Sequence, residues 1–145
     1  MENQPTDQQL AIAMAALAES QSTALALAKE ACTYPITDVA DAALRLQIHQ
    51  INLGRIKELF GADHPVYLDT SDKAVAYFMD FAAAATKSSD KEHSVQVAEM
   101  ARKLADFDMS DAGRMRYADG MRLIESMARF ESKTFRSVTS FFNKG

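Results

Sequence analysis

Apolar residues recur at alternating steps of three and four between residues 39 and 60, and this periodicity constrains the fold more than any other feature of the sequence. The ladder consists of Val39, Ala42, Leu46, His49, Leu53, Ile56 and Phe60. On an α-helix this spacing places every member on one face, so residues 38–60 are predicted to form a helix that packs against other helices. His49 stands where the pattern calls for leucine, so its side chain is expected to point into protein.

Composition favours helices in the rest of the chain as well. The sequence holds 25 alanines but only six valines and six isoleucines, and alanine favours helices whereas β-branched residues favour strands. Five glycines and three prolines leave few residues for hairpin turns. At 145 residues the chain is long enough to bury a core. We therefore predict an all-α fold with one helical domain, residues 1–145.

Capping residues and helix breakers divide the chain into five predicted helices. Thr6 and Gln9 have the spacing of a capping box. The Tyr34-Pro35 pair breaks the first helix, because proline disfavours helical geometry in the residue before it, and Gly61 ends the second. The predicted helices cover residues 7–32, 38–60, 71–87, 90–107 and 111–142, with Thr70 or Ser71 capping the third and Ser110 the fifth. Together they predict a helical bundle with a long amphipathic C-terminal helix.

Charge is distributed unevenly along the sequence. The net charge is −4, but residues 112–145 carry seven Lys or Arg and three acidic residues, so the first 111 residues hold −8. A basic stripe lies opposite the apolar face of the last helix and comprises Arg122, Arg129, Lys133 and Arg136. It has two interpretations: the solvated side of a helix, or a surface that binds an acidic protein partner. A nucleic-acid partner is not expected, because the aromatic residues lie on the other face.

His49 and Glu131 are the two polar residues that interrupt apolar helix faces. Glu131 lies between Met127 and Thr134 in the middle of the apolar face of the last helix. A buried imidazole requires a hydrogen-bond partner, so the two residues suggest a pair. One interpretation is a buried hydrogen bond that fixes helix register. The other is a core pocket for a small molecule or metal, with His49, Glu131, Gly120 and Tyr117 as its candidate residues.

Three glycines fall inside predicted helices. Gly113 and Gly120 lie seven residues apart on the last helix, and Gly54 lies in the second. Glycine costs about 1 kcal/mol relative to alanine in a helix interior. Close approach of a neighbouring helix is the expected compensation, and a small ligand against bare backbone is the alternative.

The sequence contains no recognisable catalytic constellation. The segment 61–72 holds Asp63, His64, Asp69 and Asp72, but their spacing matches no EF-hand. A dinuclear carboxylate centre would use Glu-x-x-His motifs, and the sequence has none. Cys32 is the single cysteine and falls at the C-terminal end of its helix, where the dipole raises a thiol pKa. We expect no enzymatic activity, no metal and no cofactor.

The apolar run 10–18 raises the question of a targeting or membrane segment. No Lys or Arg precedes it, as a signal peptide would require, and nine apolar residues are too few to span a bilayer. Membrane association through the last helix would use the Met and Phe residues that the core needs. We therefore expect a cytoplasmic protein without a membrane partner.

Surplus apolar surface leads to the functional hypothesis. The second helix carries an additional stripe of Leu44, Ile48 and Ile51, and the apolar face of the last helix is broader than one neighbour covers. Self-association is the commonest way to bury such surfaces. We hypothesise a non-enzymatic interaction or adaptor protein that forms a homo-oligomer and presents its basic stripe to an acidic protein partner. The alternative is a helical bundle that binds a small molecule or metal in a core pocket around His49 and Glu131.

Overall fold

The computed structural model is an all-α, single-domain bundle. It describes the backbone of residues 4–88 and 91–143 and the side chains of residues 4–87 and 92–128. Within this part of the chain all regular structure is helical. The elements are α1 (Asp7–Ala31), α2 (Val39–Phe60), α3 (Pro65–Ser88), α4 (Lys91–Arg102), a 3-10 turn (Lys103–Asp106) and α5 (Asp111–Asn143).

Most of the predicted helix ends are confirmed by hydrogen bonds. Thr6 and Gln9 form the reciprocal capping box at the start of α1. The carboxylate of Asp38 accepts the backbone N–H of Asp41, 2.7 Å away, and so caps α2. Gly61 ends α2 with a φ of 106°, a left-handed conformation that glycine adopts without strain.

The start of α3 corrects the sequence analysis. The third helix was predicted to begin at residue 71, but it begins at Pro65. His64 is its cap, since Nδ1 of His64 accepts the backbone N–H of Val66 at 3.1 Å. Proline fits the first helical position because its missing N–H would be unpaired there. Histidine is not among the usual capping residues, so Thr70 and Ser71 were mistaken for the cap.

Two predicted glycine contacts and the predicted cap of α5 lie where α3 packs against α5. A Cβ at Gly113 would collide with the carboxylate of Asp72, and a Cβ at Gly120 would lie 2.6 Å from Cε of Met79. The same Asp72 carboxylate accepts the hydroxyl and the backbone N–H of Ser110, which caps α5. The expected close approach is thus confirmed at Gly113 and Gly120.

The core lies mainly between α2, α3, α4 and α5. Its largest fully buried apolar side chains come from these helices and the 3-10 turn: Phe78, Ile56, Leu104, Ile124 and Val97. From α1, the buried residues are only Ala24 and Ala28. The first helix therefore adds little to the core and is held chiefly by its contact with α2.

The register of α1 against α2 leaves the first half of α1 outside the bundle. The side-chain amide of Gln21 donates to the backbone carbonyl of Leu59 at 3.0 Å, at the end of α2. The imidazole of His49 lies near the backbone carbonyl of Ala31, at the end of α1. The two helices are therefore antiparallel, and α2 ends at the level of Gln21. Residues 7–19, here called the overhang, continue beyond it for about 20 Å.

Candidate functional site

The overhang exposes an apolar seam. Its large side chains, Leu10, Ile12, Met14 and Leu17, are all exposed, and every residue from Asp7 to Glu19 is exposed. Leu10, Met14 and Leu17 share one helix face with Gln21, Ala24 and Ala28, which pack against α2. Periodicity alone would give this whole ladder one buried role, but its first half is exposed. The face that binds α2 continues outward without a covering helix among the described residues.

A second apolar surface lies beside the contact of α1 with α2. We call it the α1/α2 face, and it consists of Leu27, Tyr34, Leu44, Ile48 and Ile51. The surplus stripe predicted on the second helix is exposed, with Ile51 at 72%. Of twelve exposed large hydrophobic side chains in the described part of the chain, nine belong to the overhang and this face. On α5 only Met115 and Leu123 are in this set of twelve, so the described surplus lies mainly elsewhere.

The length and apolar composition of α1 raise the question of whether it contacts a membrane. By length and composition α1 would be able to cross a membrane, and it is the one helix among the described residues with this property. A soluble core helix or a signal sequence satisfies the same criterion, but α1 is not a core helix because most of it is exposed. Its uninterrupted apolar run is still only residues 10–18.

His49 is buried, as the ladder predicted, with 2% of its surface exposed. Its ring lies against Tyr77 and Phe78, with centroid distances of 5.3 and 5.2 Å. Nε2 is buried and makes no hydrogen bond within the described residues. Leaving such an atom unpaired costs about 1–3 kcal/mol. Burial lowers the pKa of the imidazole. The backbone carbonyl of Ala31 raises this pKa, and the positive charge of Arg45 lowers it.

A groove between α1 and α2 reaches His49. It has a volume of about 300 Å³, at the lower end of the range for small-molecule sites. Leu27 and Ala31 of α1 and Ile48 of α2 supply its apolar walls. Its remaining lining residues are Glu30, Tyr34, Arg45, His49 and Asn52.

The charged residues of the groove are paired with one another or with neighbours. Arg45 forms an ion pair with Asp41 at 2.8 Å and lies 5.9 Å from the centre of the Tyr34 ring. The Tyr34 hydroxyl donates to the Glu30 carboxylate at 3.0 Å. Hydrogen bonds from the Thr37 backbone and from Arg45 hold the pKa of Asp41 below its usual range. The groove thus presents apolar walls, an ion-paired guanidinium and a carboxylate that is hydrogen-bonded to a neutral hydroxyl.

Tyr117 and Gly120, two of the candidate pocket residues, lie in a different groove from His49. They line a cavity of about 280 Å³ between α3 and α5, together with Met79 and Ile124. The Tyr117 hydroxyl donates to the backbone carbonyl of Ala101 at 2.9 Å, and burial raises its pKa. The side chain of Glu131 lies outside the described residues, so its pairing with His49 stays a prediction.

The basic stripe falls largely outside the described side chains. Arg122 is exposed and lies 3.0 Å from the carboxylate of Asp119 in an i, i+3 pair. Pairs of this kind contribute little at the surface. The side chains of Arg129, Lys133 and Arg136 lie beyond residue 128, so the stripe as a binding surface stays a prediction.

The acidic segment 61–72 is used for structure. His64 caps α3, Asp72 accepts hydrogen bonds from Ser110, which caps α5, and Asp69 pairs with Lys73 at 3.0 Å. No group of three or more His, Cys, Asp or Glu side chains in residues 4–87 and 92–128 is arranged to hold a metal ion. Burial is the main cause that raises the pKa of Cys32, and the charge of Lys73 opposes it.

Comparison with known proteins adds no functional assignment. No family model matches the chain, and no match was found among curated proteins or among solved structures.

The groove residues Leu27, Glu30, Tyr34 and Arg45 were not anticipated from the sequence. They belong to three consecutive segments that meet only through the antiparallel register of α1 and α2. The one local signal was His49 itself, a polar residue in an apolar ladder.

Proposed function

We propose that the protein is a non-enzymatic interaction protein that self-associates through the overhang and the α1/α2 face. One observation carries the proposal: nine of the twelve exposed large hydrophobic side chains in the described residues are gathered on these two surfaces. Soluble proteins rarely expose contiguous apolar surface unless it binds something.

A second copy of the chain is the occupant that fits the overhang. Residues 10–18 carry no charge, so the partner must offer an uncharged apolar surface. Two overhangs in antiparallel orientation satisfy this requirement, because Leu10 of one copy then lies opposite Leu17 of the other, with Met14 near the two-fold axis. Such an arrangement buries the same residues on both copies, as an isologous interface requires.

The area that a stable dimer needs argues for both surfaces together. A standard interface takes about 20–30 residues from each partner, and the thirteen residues of the overhang fall short of this number. The α1/α2 face begins at Leu27, beyond the reach of the partner's overhang in this orientation, so it supplies a second, separate contact between copies. The basic stripe of the last helix lies far from α1 in the sequence. In this proposal it binds an acidic protein partner.

Native mass spectrometry, with light scattering at several protein concentrations, tests the proposal. The decisive variant is Met14→Glu, and its matched control is Met115→Glu on α5, because both methionines are 69% exposed on helices. The unchanged protein and Met115→Glu are expected to be dimers, while Met14→Glu is expected to be a monomer.

Two outcomes would contradict self-association. One is a protein that stays monomeric at high micromolar concentration, and the other is equal behaviour of the two variants. A monomer that sediments with neutral phosphatidylcholine vesicles, and loses this binding in Met14→Glu, would assign the overhang to a lipid surface instead.

A further inference from the structure

His49 lies where α1, α2 and α3 meet, and its surroundings suit only a neutral imidazole. Tyr77 and Phe78 of α3 lie against the ring, and the backbone carbonyl of Ala31 at the end of α1 lies near it. A neutral imidazole has one N–H group, whereas a protonated one has two. Nε2 is buried without a hydrogen-bond partner in the described residues, so in the protonated form this atom would carry an N–H group without an acceptor. Protonation in the closed bundle therefore buries both a charge and an unpaired donor.

The charged and titratable groups around His49 do not compensate a positive ring. On α2, Arg45 repels it, and the Asp41 carboxylate is already paired with Arg45 at 2.8 Å. On α1, Glu30 lines the same groove, but Glu30 is exposed, where water and salt screen its charge. On α3, Tyr77 is a neutral phenol whose pKa is raised by burial. The ring must therefore reach water before it binds a proton.

Release of α1 is the least costly way to open this site. The buried residues of α1 are Ala24 and Ala28, whose side chains are single methyl groups, whereas α3 contributes the fully buried Phe78 to the core. Between α1 and α2, the amide of Gln21 donates to the backbone carbonyl of Leu59. Segments with little buried apolar surface open locally, at a lower free energy than the whole fold.

We infer that the docking of α1 is acid-sensitive: protonation of His49 releases residues 20–31 from α2 and α3 while the rest of the bundle stays folded. In the released form the imidazole is exposed and binds its proton below a pH of about 6.5. Because the docked form does not bind it, a fall in pH shifts the equilibrium toward release. This inference does not rest on the proposed function, since it concerns the contact of α1 with its own bundle.

Hydrogen–deuterium exchange followed by mass spectrometry at pH 7.5 and pH 5.5 tests the inference. Each rate is divided by the intrinsic exchange rate at the same pH, so that the ratio reports opening alone. Residues 20–31 are expected to lose protection several-fold, up to about tenfold, because pH 5.5 lies about one unit below the pKa of an exposed imidazole. Residues 74–82 and 97–104, which belong to the core, are expected to keep their protection.

Cys32 gives a second readout of the same release. It is the only cysteine in the sequence, it is half-buried, and it lines a groove between α1 and α3 with Val66 and Thr70. Release of α1 therefore exposes the thiol. Its rate of reaction with 4,4′-dithiodipyridine, relative to that of the urea-unfolded protein at the same pH, is expected to rise by a similar factor between pH 7.5 and pH 5.5.

Variants of two histidines separate the site from a general effect of acid. His49→Leu and His49→Gln do not titrate and are expected to remove the pH dependence, and the second keeps a polar side chain at the position. His64→Asn is the matched control, because it removes another imidazole while asparagine still caps α3. This control is expected to keep the pH dependence. Repeating both readouts on Met14→Glu separates release of α1 from a change in self-association.

Three results would overturn the inference. The first is unchanged protection of residues 20–31 between the two pH values. The second is an equal loss of protection in residues 20–31 and in the core segments, which would indicate unfolding of the whole bundle. The third is the same pH dependence in His49→Gln as in the unchanged protein.

Discussion

At the scale of single residues, His49 joins the fold to the candidate site. Its imidazole completes a core ladder by shape, but one nitrogen is left without a hydrogen bond in the described part of the chain. Proteins retain such groups when a function requires them and accept the loss of stability. His49 is therefore expected to lower the stability of the fold.

Replacing His49 by leucine is expected to raise the free energy of unfolding by about 1 kcal/mol at pH 7.5. Removing the unpaired nitrogen gains about 1–3 kcal/mol, and losing ring contacts with Tyr77 and Phe78 costs about 0.5–1.5 kcal/mol. Urea denaturation measures the difference. A variant less stable than the unchanged protein would show that the imidazole is satisfied in solution.

The difference in stability between His49→Leu and the unchanged protein is expected to depend on pH. Because burial lowers the pKa of His49 in the folded state, the unfolded chain binds the proton first as the pH falls. His49 therefore removes stability as the pH drops below its unfolded value of about 6.5, and leucine does not. The stability advantage of His49→Leu should widen between pH 7.5 and pH 5.5. A constant difference across this range would contradict a lowered pKa.

At the scale of helices, periodicity identified which faces are apolar but not how far each face is covered. The ladder through Leu10, Met14 and Leu17 looks the same as its continuation through Ala24 and Ala28. Only the first part is exposed, because coverage depends on where α2 ends, and one sequence pattern contains no information about register. The start of α3 was missed for a local reason, since His64 caps through its ring nitrogen. The caps at Thr6, Asp38 and Ser110 were predictable from local chemistry.

Two glycine substitutions compare helix propensity with helix packing. Gly54→Ala is expected to stabilise the protein by up to about 1 kcal/mol, since no atom lies within 4 Å of the added methyl group. Gly113→Ala is expected to destabilise it by about 1–3 kcal/mol, because the methyl group would displace the Asp72 carboxylate that holds the start of α5. Thermal and urea unfolding measure both changes. Stabilisation of equal size in both variants would mean that α3 and α5 are farther apart than described.

At the scale of the whole molecule, the core and the proposed interface occupy different parts of the chain. The core is built by α2 to α5, whereas α1 adds only Ala24 and Ala28 to the buried set. The apolar surface of α1 is therefore available for binding without cost to the core. Losing the interface is expected to leave a folded monomer.

This separation predicts a concentration-dependent melting temperature. Association stabilises the folded state by mass action, so a tenfold rise in protein concentration is expected to raise the Tm by roughly 2–4 °C. Met14→Glu should remove this dependence while circular dichroism at 20 °C stays helical. Differential scanning calorimetry at two concentrations checks it. The same slope in both proteins would rule out the overhang as the contact.

The length of the overhang also determines the shape of the assembly. Two antiparallel overhangs of about 20 Å form a short rod with one bundle at each end, so the dimer is elongated and its ends are separated by a spacer. Inserting seven alanine-rich residues after Ala18 would lengthen each overhang by about 10 Å and keep the seam on nearly the same face. The distance between whatever the two bundles bind is therefore encoded by the number of residues in one helix.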